Sequence, residues 1–124
     1  MSFKTDGQGN RWWRNKEDKL HRVDGPAVDY IDGDKEYWAN GKRHRLDGPA
    51  IEWFGGYKAW FKNGVRHRID GPAVIYEDGS EIWYKDGLAH RVGGPAVNFI
   101  SGVQEYWVEG EHQPTEGMEA EVAG

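Results

Sequence analysis

A seven-residue string returns at a fixed interval of 23 residues along this chain. It reads HRVDGPA from His21, HRLDGPA from His44, HRIDGPA from His67 and HRVGGPA from His90. A fixed period of this length is typical of repeat proteins, in which one short structural unit is stacked on the next. The chain is therefore expected to be a linear array, and any role of these residues is expected to recur with them.

Each repeat contains two pairs of turn-forming residues, and such pairs supply the positive φ that tight hairpins need. The runs between them, such as PAVDYI and KEYWA, are too short for stable helices and rich in β-forming residues. We therefore expect an all-β fold, an antiparallel meander or solenoid of β-hairpin repeats with about four units plus caps. The first pair is Asp32-Gly33, Gly55-Gly56, Asp78-Gly79 and Ser101-Gly102, and the second is Asn40-Gly41, Asn63-Gly64, Asp86-Gly87 and Glu109-Gly110.

The register predicted from the first turn pair gives the sheet two aromatic faces. A two-residue loop there places Val28 opposite Tyr37, Ile51 opposite Trp60, Val74 opposite Trp83 and Val97 opposite Tyr106. These residues are expected to form the core face, together with Tyr30, Trp53, Tyr76 and Phe99. The other face carries a second stripe, which is the expected interaction surface because aromatic residues dominate protein interfaces. That stripe is Trp38, Phe61, Tyr84 and Trp107.

The length of 124 residues fits a single domain. Within 1–124 we expect a partial repeat or cap at 10–22, hairpin repeats at 23–111 and an acidic, flexible tail at 112–124.

Charge and composition exclude several classes of function. The net charge of −5, with both signs interspersed, gives no basic field for long nucleic acid. No cysteine is present, so disulfides and thiolate chemistry are impossible. Because no apolar run approaches about 18 residues and the first residues lack the core of a signal peptide, we expect no membrane span and a cytoplasmic location.

The segments GDKEYWANGKRH, GYKAWFKNGVRH and GSEIWYKDGLAH resemble the MORN repeat, a 23-residue hairpin unit built around Trp-x-x-Gly. The resemblance covers about residues 10–111 and is closest to an HRxDGPA variant found in phage and giant-virus proteins. Where MORN repeats have closely spaced glycines, this chain has Arg-x-Asp-Gly-Pro-Ala. The resemblance implies an elongated hairpin sheet used as a scaffold, a dimerisation surface or a lipid-binding module. It also implies a viral origin, which would place the protein in the host cytoplasm.

The repeated His-Arg-x-Asp string has a structural and a binding interpretation. In the structural one, Asp24, Asp47 and Asp70 accept backbone N–H groups in turns before Gly-Pro. Arginine then binds carbonyls or the aspartate of a neighbouring repeat. The residue between Arg and the Asp position is a buried aliphatic. In the binding one, a cationic row beside aromatic rings holds the phosphates and bases of a small nucleotide. That row is His21, Arg22, His44, Arg45, His67, Arg68, His90 and Arg91.

Catalysis and metal binding fit the repeat poorly. An enzyme needs one convergent constellation, whereas this string occurs four times without a unique nucleophile or acid pair. Equivalent histidines would lie about 10 Å apart, too far to share an ion whose ligands sit within about 2.1 Å. We therefore expect no enzyme activity, no cofactor and no metal.

The sequence thus predicts a binding protein that engages a protein partner, or its own second copy as a homo-oligomer, through an aromatic repeat face. The alternative is a viral anti-defence protein that sequesters a small signalling nucleotide.

Overall fold

The computed structural model of the chain describes residues 2–114, which form strands and turns and contain no helix. Eleven strands form one antiparallel sheet that runs the length of the array. The predicted all-β hairpin meander is confirmed. In sheet order, the strands are β1 (Ser2–Thr5), β2 (Arg11–Arg14), β3 (Val28–Asp29), β4 (Lys35–Glu36), β7 (Ile51–Glu52), β8 (Lys58–Ala59), β11 (Val74–Ile75), β12 (Glu81–Ile82), β15 (Val97–Asn98), β16 (Gln104–Val108) and β17 (Glu111–Gln113).

Three small hairpins interrupt this sheet, one in each complete repeat. In each repeat the chain leaves the main sheet after β4, β8 or β12, forms the small hairpin, and returns to the main sheet through an HRxDGPA segment. The hairpins pair β5 (Trp38–Ala39) with β6 (Lys42–Arg43), β9 (Phe61–Lys62) with β10 (Val65–Arg66), and β13 (Tyr84–Lys85) with β14 (Leu88–Ala89).

The second turn pair of each repeat forms the expected two-residue loop. Asn40 and Gly41 have φ values of 50° and 82°, and the flanking Ala39 and Lys42 are paired. Positive φ at both central residues is the mark of a type I′ turn, whose twist matches that of the strands it joins. The same signs recur at Asn63-Gly64, Asp86-Gly87 and Glu109-Gly110.

The first turn pair belongs to a three-residue loop, so the predicted register is wrong by one residue. The Tyr30 N–H donates to the Asp34 carbonyl at 2.9 Å, and the Gly33 N–H donates to the Tyr30 carbonyl at 3.1 Å. Gly33 has a φ of 104°, as the last residue of such a loop requires. Val28 consequently lies opposite Glu36, and the other predicted pairs shift in the same way, to Ile51 with Ala59, Val74 with Ile82 and Val97 with Glu105.

Small and β-branched side chains form the core along the main sheet. Ile51 and Val74 are buried there with Ala50, and Phe61 of β9 belongs to the same cluster. The small hairpins therefore pack against one face of the main sheet. The alanine after each proline and the valine or isoleucine after that alanine are buried in every repeat, at Ala27 and Val28, Ala50 and Ile51, Ala73 and Val74, and Ala96 and Val97.

From β3 to β8 the opposite face of the main sheet is charged and alternates in sign. Asp29 pairs with Lys35, Lys35 with Glu52, and Glu52 with Lys58 across successive strands. Opposite charges directly across a ladder are favourable and keep this face in contact with water. The array therefore buries one side of its main sheet.

The ends of the array differ from the repeats. The first hairpin adds β1 beside β2. After β2, Asn15 and Lys19 flank a turn that is longer than the type I′ turns. Strand β17 includes His112 and Gln113, and the rest of the predicted acidic tail, from residue 115, lies outside the described residues. Among residues 2–114 there is no helix that could cross a lipid bilayer.

Replacing Val74, which is 1% exposed, by alanine should lower the free energy of unfolding by about 2 kcal/mol. The change removes buried methyl groups and leaves a cavity between the small hairpins and the main sheet. Urea denaturation followed by tryptophan fluorescence measures the change. Val23→Ala is the matched control, since Val23 is 81% exposed, and its effect should stay below about 0.5 kcal/mol.

Candidate functional site

The HRxDGPA segments form four equivalent loops, called arms from here on, at residues 21–27, 44–50, 67–73 and 90–96. In each arm the arginine guanidinium lies over an aromatic ring. The distances from Cζ to the ring centroid are short enough for a cation–π interaction. They are 3.9 Å for Arg22 over Trp13, 3.8 Å for Arg45 over Tyr37, 3.9 Å for Arg68 over Trp60 and 4.0 Å for Arg91 over Trp83.

Each guanidinium also holds its own arm through hydrogen bonds. Nη1 of Arg45 donates to the Pro49 carbonyl at 3.1 Å, and Nε donates to the Asp47 carboxylate at 3.3 Å. In the first arm, the hydrogen bond from Arg22 lowers the pKa of the Asp24 carboxyl. The aspartates thus bind the arginine of their own arm, whereas the sequence predicted backbone N–H groups or a neighbouring repeat as their partners.

The guanidinium passes close to the backbone of the arm glycine, so a side chain at that position would displace it. A Cβ atom on Gly71 would lie 2.6 Å from Cζ of Arg68, closer than real side chains approach. The guanidinium is therefore enclosed by a ring, a carbonyl, a carboxylate and the glycine backbone.

The histidine of each arm joins one repeat to the next. Nδ1 of His44 accepts a hydrogen bond from the backbone N–H of Asn63, the first residue of the next type I′ turn, at 3.0 Å. An Nδ1 that accepts leaves the proton of the neutral ring on Nε2. The equivalent bonds join Asn40 to His21, Asp86 to His67 and Glu109 to His90 at 2.9 to 3.0 Å.

The aliphatic residue between Arg and the Asp position is exposed, so its predicted burial is wrong. The His and Arg side chains are held by the neighbouring turn and ring, and the tip of the arm points away from them into solvent. The exposed fractions are 81% for Val23, 85% for Leu46, 84% for Ile69 and 78% for Val92.

Shallow grooves open between successive arms. One has a volume of about 760 Å³ and is lined by Arg45, His67 and Phe61 among others. A groove of about 700 Å³ lies between the first and second arms, and one of about 410 Å³ lies between the third and fourth. The predicted Arg and His residues of neighbouring arms are therefore brought together here.

The predicted aromatic interaction stripe is largely packed into the array. Phe61 is 7% exposed, and Trp38, Tyr84 and Trp107 are half-buried. The backbone carbonyls of these four residues accept hydrogen bonds from the backbone N–H groups of the arm arginines. The Nε1–H of Trp38 donates to the buried carboxylate of Glu36 at 3.0 Å, and Trp107 repeats this bond with Glu105.

A different aromatic row is partly open to solvent, and the sequence assigned it to the core. This row consists of Tyr30, Trp53, Tyr76 and Phe99, the residues before the three-residue loops. Trp53, Tyr76 and Phe99 are 40%, 38% and 37% exposed. Burial raises the pKa of Tyr30 and of Tyr76, so these phenols stay neutral at physiological pH. We call these four residues the aromatic row.

The aromatic row continues into the loop tips and between the hairpins. The Tyr57 ring lies between its neighbours, with its centroid 5.0 Å from that of Trp53 and 5.7 Å from that of Tyr76. At the loop tips Ile31, Phe54 and Ile100 are 67%, 82% and 70% exposed. The signal that could have found this surface is an apolar residue placed directly in a turn, where polar residues are usual.

Comparison with known protein families, with curated proteins and with solved structures gives no match. The resemblance to MORN-type repeats therefore stays a prediction. Within residues 2–114, no group of three or more His, Cys, Asp or Glu side chains is arranged to hold a metal ion.

Replacing Gly71 by alanine should destabilise the array by about 1 to 2 kcal/mol. The new methyl group would displace the guanidinium of Arg68 from the Trp60 ring and from the Pro72 carbonyl, 3.1 Å from Nη1. Thermal denaturation by circular dichroism measures the loss. Gly7→Ala is the control, because a Cβ there meets nothing within 4 Å; equal effects of the two changes would contradict the enclosure of the guanidinium.

Proposed function

We propose that this chain is a non-enzymatic binding protein that engages a protein, either a partner or its own second copy, through the aromatic row. The observation that carries the proposal is the exposure of large apolar side chains at the same position of successive repeats, 37% to 40% for Trp53, Tyr76 and Phe99. Rings held at fixed spacing on a sheet lose little entropy on binding, and Trp and Tyr are frequent hot spots.

The surroundings of the row support a protein as the ligand. Phe54, at 82% exposure, extends the apolar surface beyond Trp53, and Ile100 does so beyond Phe99. Glu77 takes the equivalent loop position between them and is exposed. Protein interfaces have this composition: exposed apolar side chains lie beside polar groups.

Capture of a small nucleotide by the Arg and His row receives less support from the contacts. The guanidinium groups of Arg22, Arg45 and Arg68 each have a ring, a proline carbonyl and an aspartate as partners, and Nδ1 of each arm histidine is used. A nucleotide would have to compete with these contacts. The viral origin remains a prediction from the sequence resemblance, and the anti-defence role remains one from that origin and the residue types. The cytoplasmic location remains a prediction from the sequence, which has no long apolar run and no signal-peptide core at its first residues.

Replacing Phe54 by serine should weaken binding at the row at least about tenfold, since an exposed aromatic anchor next to Trp53 is lost. Light scattering after size-exclusion chromatography, over a dilution series, shows whether the parent chain self-associates and gives the shift in the variant. If the parent is monomeric, the protein that co-purifies with it is isolated and its affinity for both chains is measured by calorimetry.

The matched control is Ile69→Ser, which removes an apolar side chain of similar exposure, 84% against 82%, from an arm tip. Binding by this variant should equal that of the parent. Binding that is lost in Ile69→Ser and kept in Phe54→Ser would move the interface to the arms. A monomer with no isolable partner would contradict the proposal.

A further inference from the structure

The fourth arm lacks a carboxylate that the other three arms share. In those arms Nε of the arginine donates to the aspartate two residues later, at 3.0 Å in the first arm and 3.3 Å in the next two. Gly93 occupies this position in the fourth arm. Arg91 keeps its ring, Trp83, and its bond to the Pro95 carbonyl at 3.2 Å. Among the described residues its Nε has no carboxylate partner.

The groove beside this arm carries an excess of positive charge. It has a volume of about 410 Å³, and Arg68, Lys85 and Arg91 line it with His90. Of the described residues, no carboxylate lines this groove. By contrast, Asp24 and Asp47 line the first groove, between the first and second arms, and Asp47 and Asp70 line the second groove, between the second and third arms. Arg68 retains its bond to Asp70 outside the groove, so Lys85 and Arg91 supply the uncompensated charge.

The position of the missing carboxylate is open to solvent. A Cβ on Gly93 would meet nothing within 4 Å, although Gly93 has a φ of 87°, which strains an aspartate and which the sister aspartates do not adopt. The imidazole of His90, whose Nδ1 accepts from the Glu109 N–H, carries its proton on Nε2 when neutral and can donate as well. Trp83 also lines the groove, but its Nε1–H is buried and, among the described residues, has no hydrogen-bond partner, so it reports on the groove without reaching its surface.

We propose that the groove between the third and fourth arms binds an external carboxylate, in the position that aspartate holds in the other arms. The three sister arms give the chemistry, because their arginine Nε is satisfied by a planar, singly charged oxyanion. Charge-assisted hydrogen bonds from guanidinium and ammonium groups are the strong ones.

The rims of the groove indicate what carries the carboxylate. Ile69 and Val92 form the two arm tips beside it and are 84% and 78% exposed. They can contact apolar atoms next to the carboxylate, which favours the side chain of an acidic residue in a peptide segment with aliphatic neighbours. The site uses other residues than the aromatic row and does not depend on the proposed interface there.

The test is an NMR titration of the ¹⁵N-labelled full chain, following the arginine Nε–H and tryptophan Nε1–H signals. The probe is the peptide acetyl-Val-Asp-Ala-amide, and its control is the same peptide with Asn for Asp. The Asp peptide should shift the Arg91 and Trp83 signals saturably and bind at least about tenfold more tightly than the Asn peptide. The Nε–H signals of Arg22, Arg45 and Arg68 serve as internal controls and should not move.

Two variants separate a built site from a general attraction between opposite charges. Lys85→Gln should weaken the Asp peptide severalfold, while Lys62→Gln, the equivalent change in the second groove, should leave it unchanged. Gly93→Asp supplies a carboxylate within the chain once the backbone leaves its φ of 87°, so in a variant that stays folded the peptide should no longer shift the Arg91 signal. The spectrum of each variant reports directly whether the array is folded.

Several outcomes would overturn the proposal. They are an equal response of all four arginines, no response of any, equal effects of Lys62→Gln and Lys85→Gln, or full peptide binding by folded Gly93→Asp. A response to inorganic phosphate with none to the Asp peptide would replace the carboxylate by a phosphate ligand. Phe54→Ser should bind the peptide like the parent, so failure of this site and failure of the aromatic row are distinguishable.

Discussion

The arginine that closes each arm is the interaction on which the rest of the array depends. Most strands of the repeats contain two residues, so the sheet alone supplies few hydrogen bonds per segment. The arms are seven residues long and include a glycine, whose conformational freedom must be lost on folding. The guanidinium restrains them by joining a ring between two preceding strands, such as Tyr37 between β4 and β5, to a proline carbonyl near the end of the same arm. This contact fixes where the next strand enters the main sheet, and so sets the spacing of every feature that recurs.

The period and the turn chemistry made the fold predictable from the sequence, but they left the register open. Asn40-Gly41 specifies a two-residue type I′ turn, because both residues tolerate positive φ. Asp32-Gly33 is less specific, since a glycine with positive φ also ends the three-residue loop that the chain forms. One added loop residue moves Val28 from Tyr37 to Glu36 without changing which side of its own strand is buried. The burial of Val28, Ile51, Val74 and Val97 was therefore predictable even though their partners were not.

The sites were harder to predict for two reasons. Some of their contacts cross from one repeat to another, and others depend on how much of the main sheet the small hairpins cover. The bond from the Asn63 N–H to His44 joins residues 19 positions apart, and no local pattern signals it. The aliphatic residue Leu46 looked like a core residue because every repeat has one, yet the arm holds it in solvent. Tyr76 was correctly placed on the apolar face, but hairpin packing leaves the loop end of that face uncovered. Only Gly93, a departure from the repeat visible in the sequence, marks one arm as different in charge.

The histidine bonds give the array a direction, and this direction bears on how such a chain can evolve. Every internal unit donates a turn N–H to the histidine of the unit before it, and its own histidine Nδ1 accepts from the turn of the unit after it, as His44 and His67 do from Asn63 and Asp86. Duplication or loss of one 23-residue segment would therefore recreate both junctions without leaving a donor or acceptor unmatched. Gene duplication could lengthen or shorten the protein in whole steps, and each step would add or remove one ring of the row and one arm together. Valency is thus an inheritable property of this architecture that can change while the sequence of each unit stays the same.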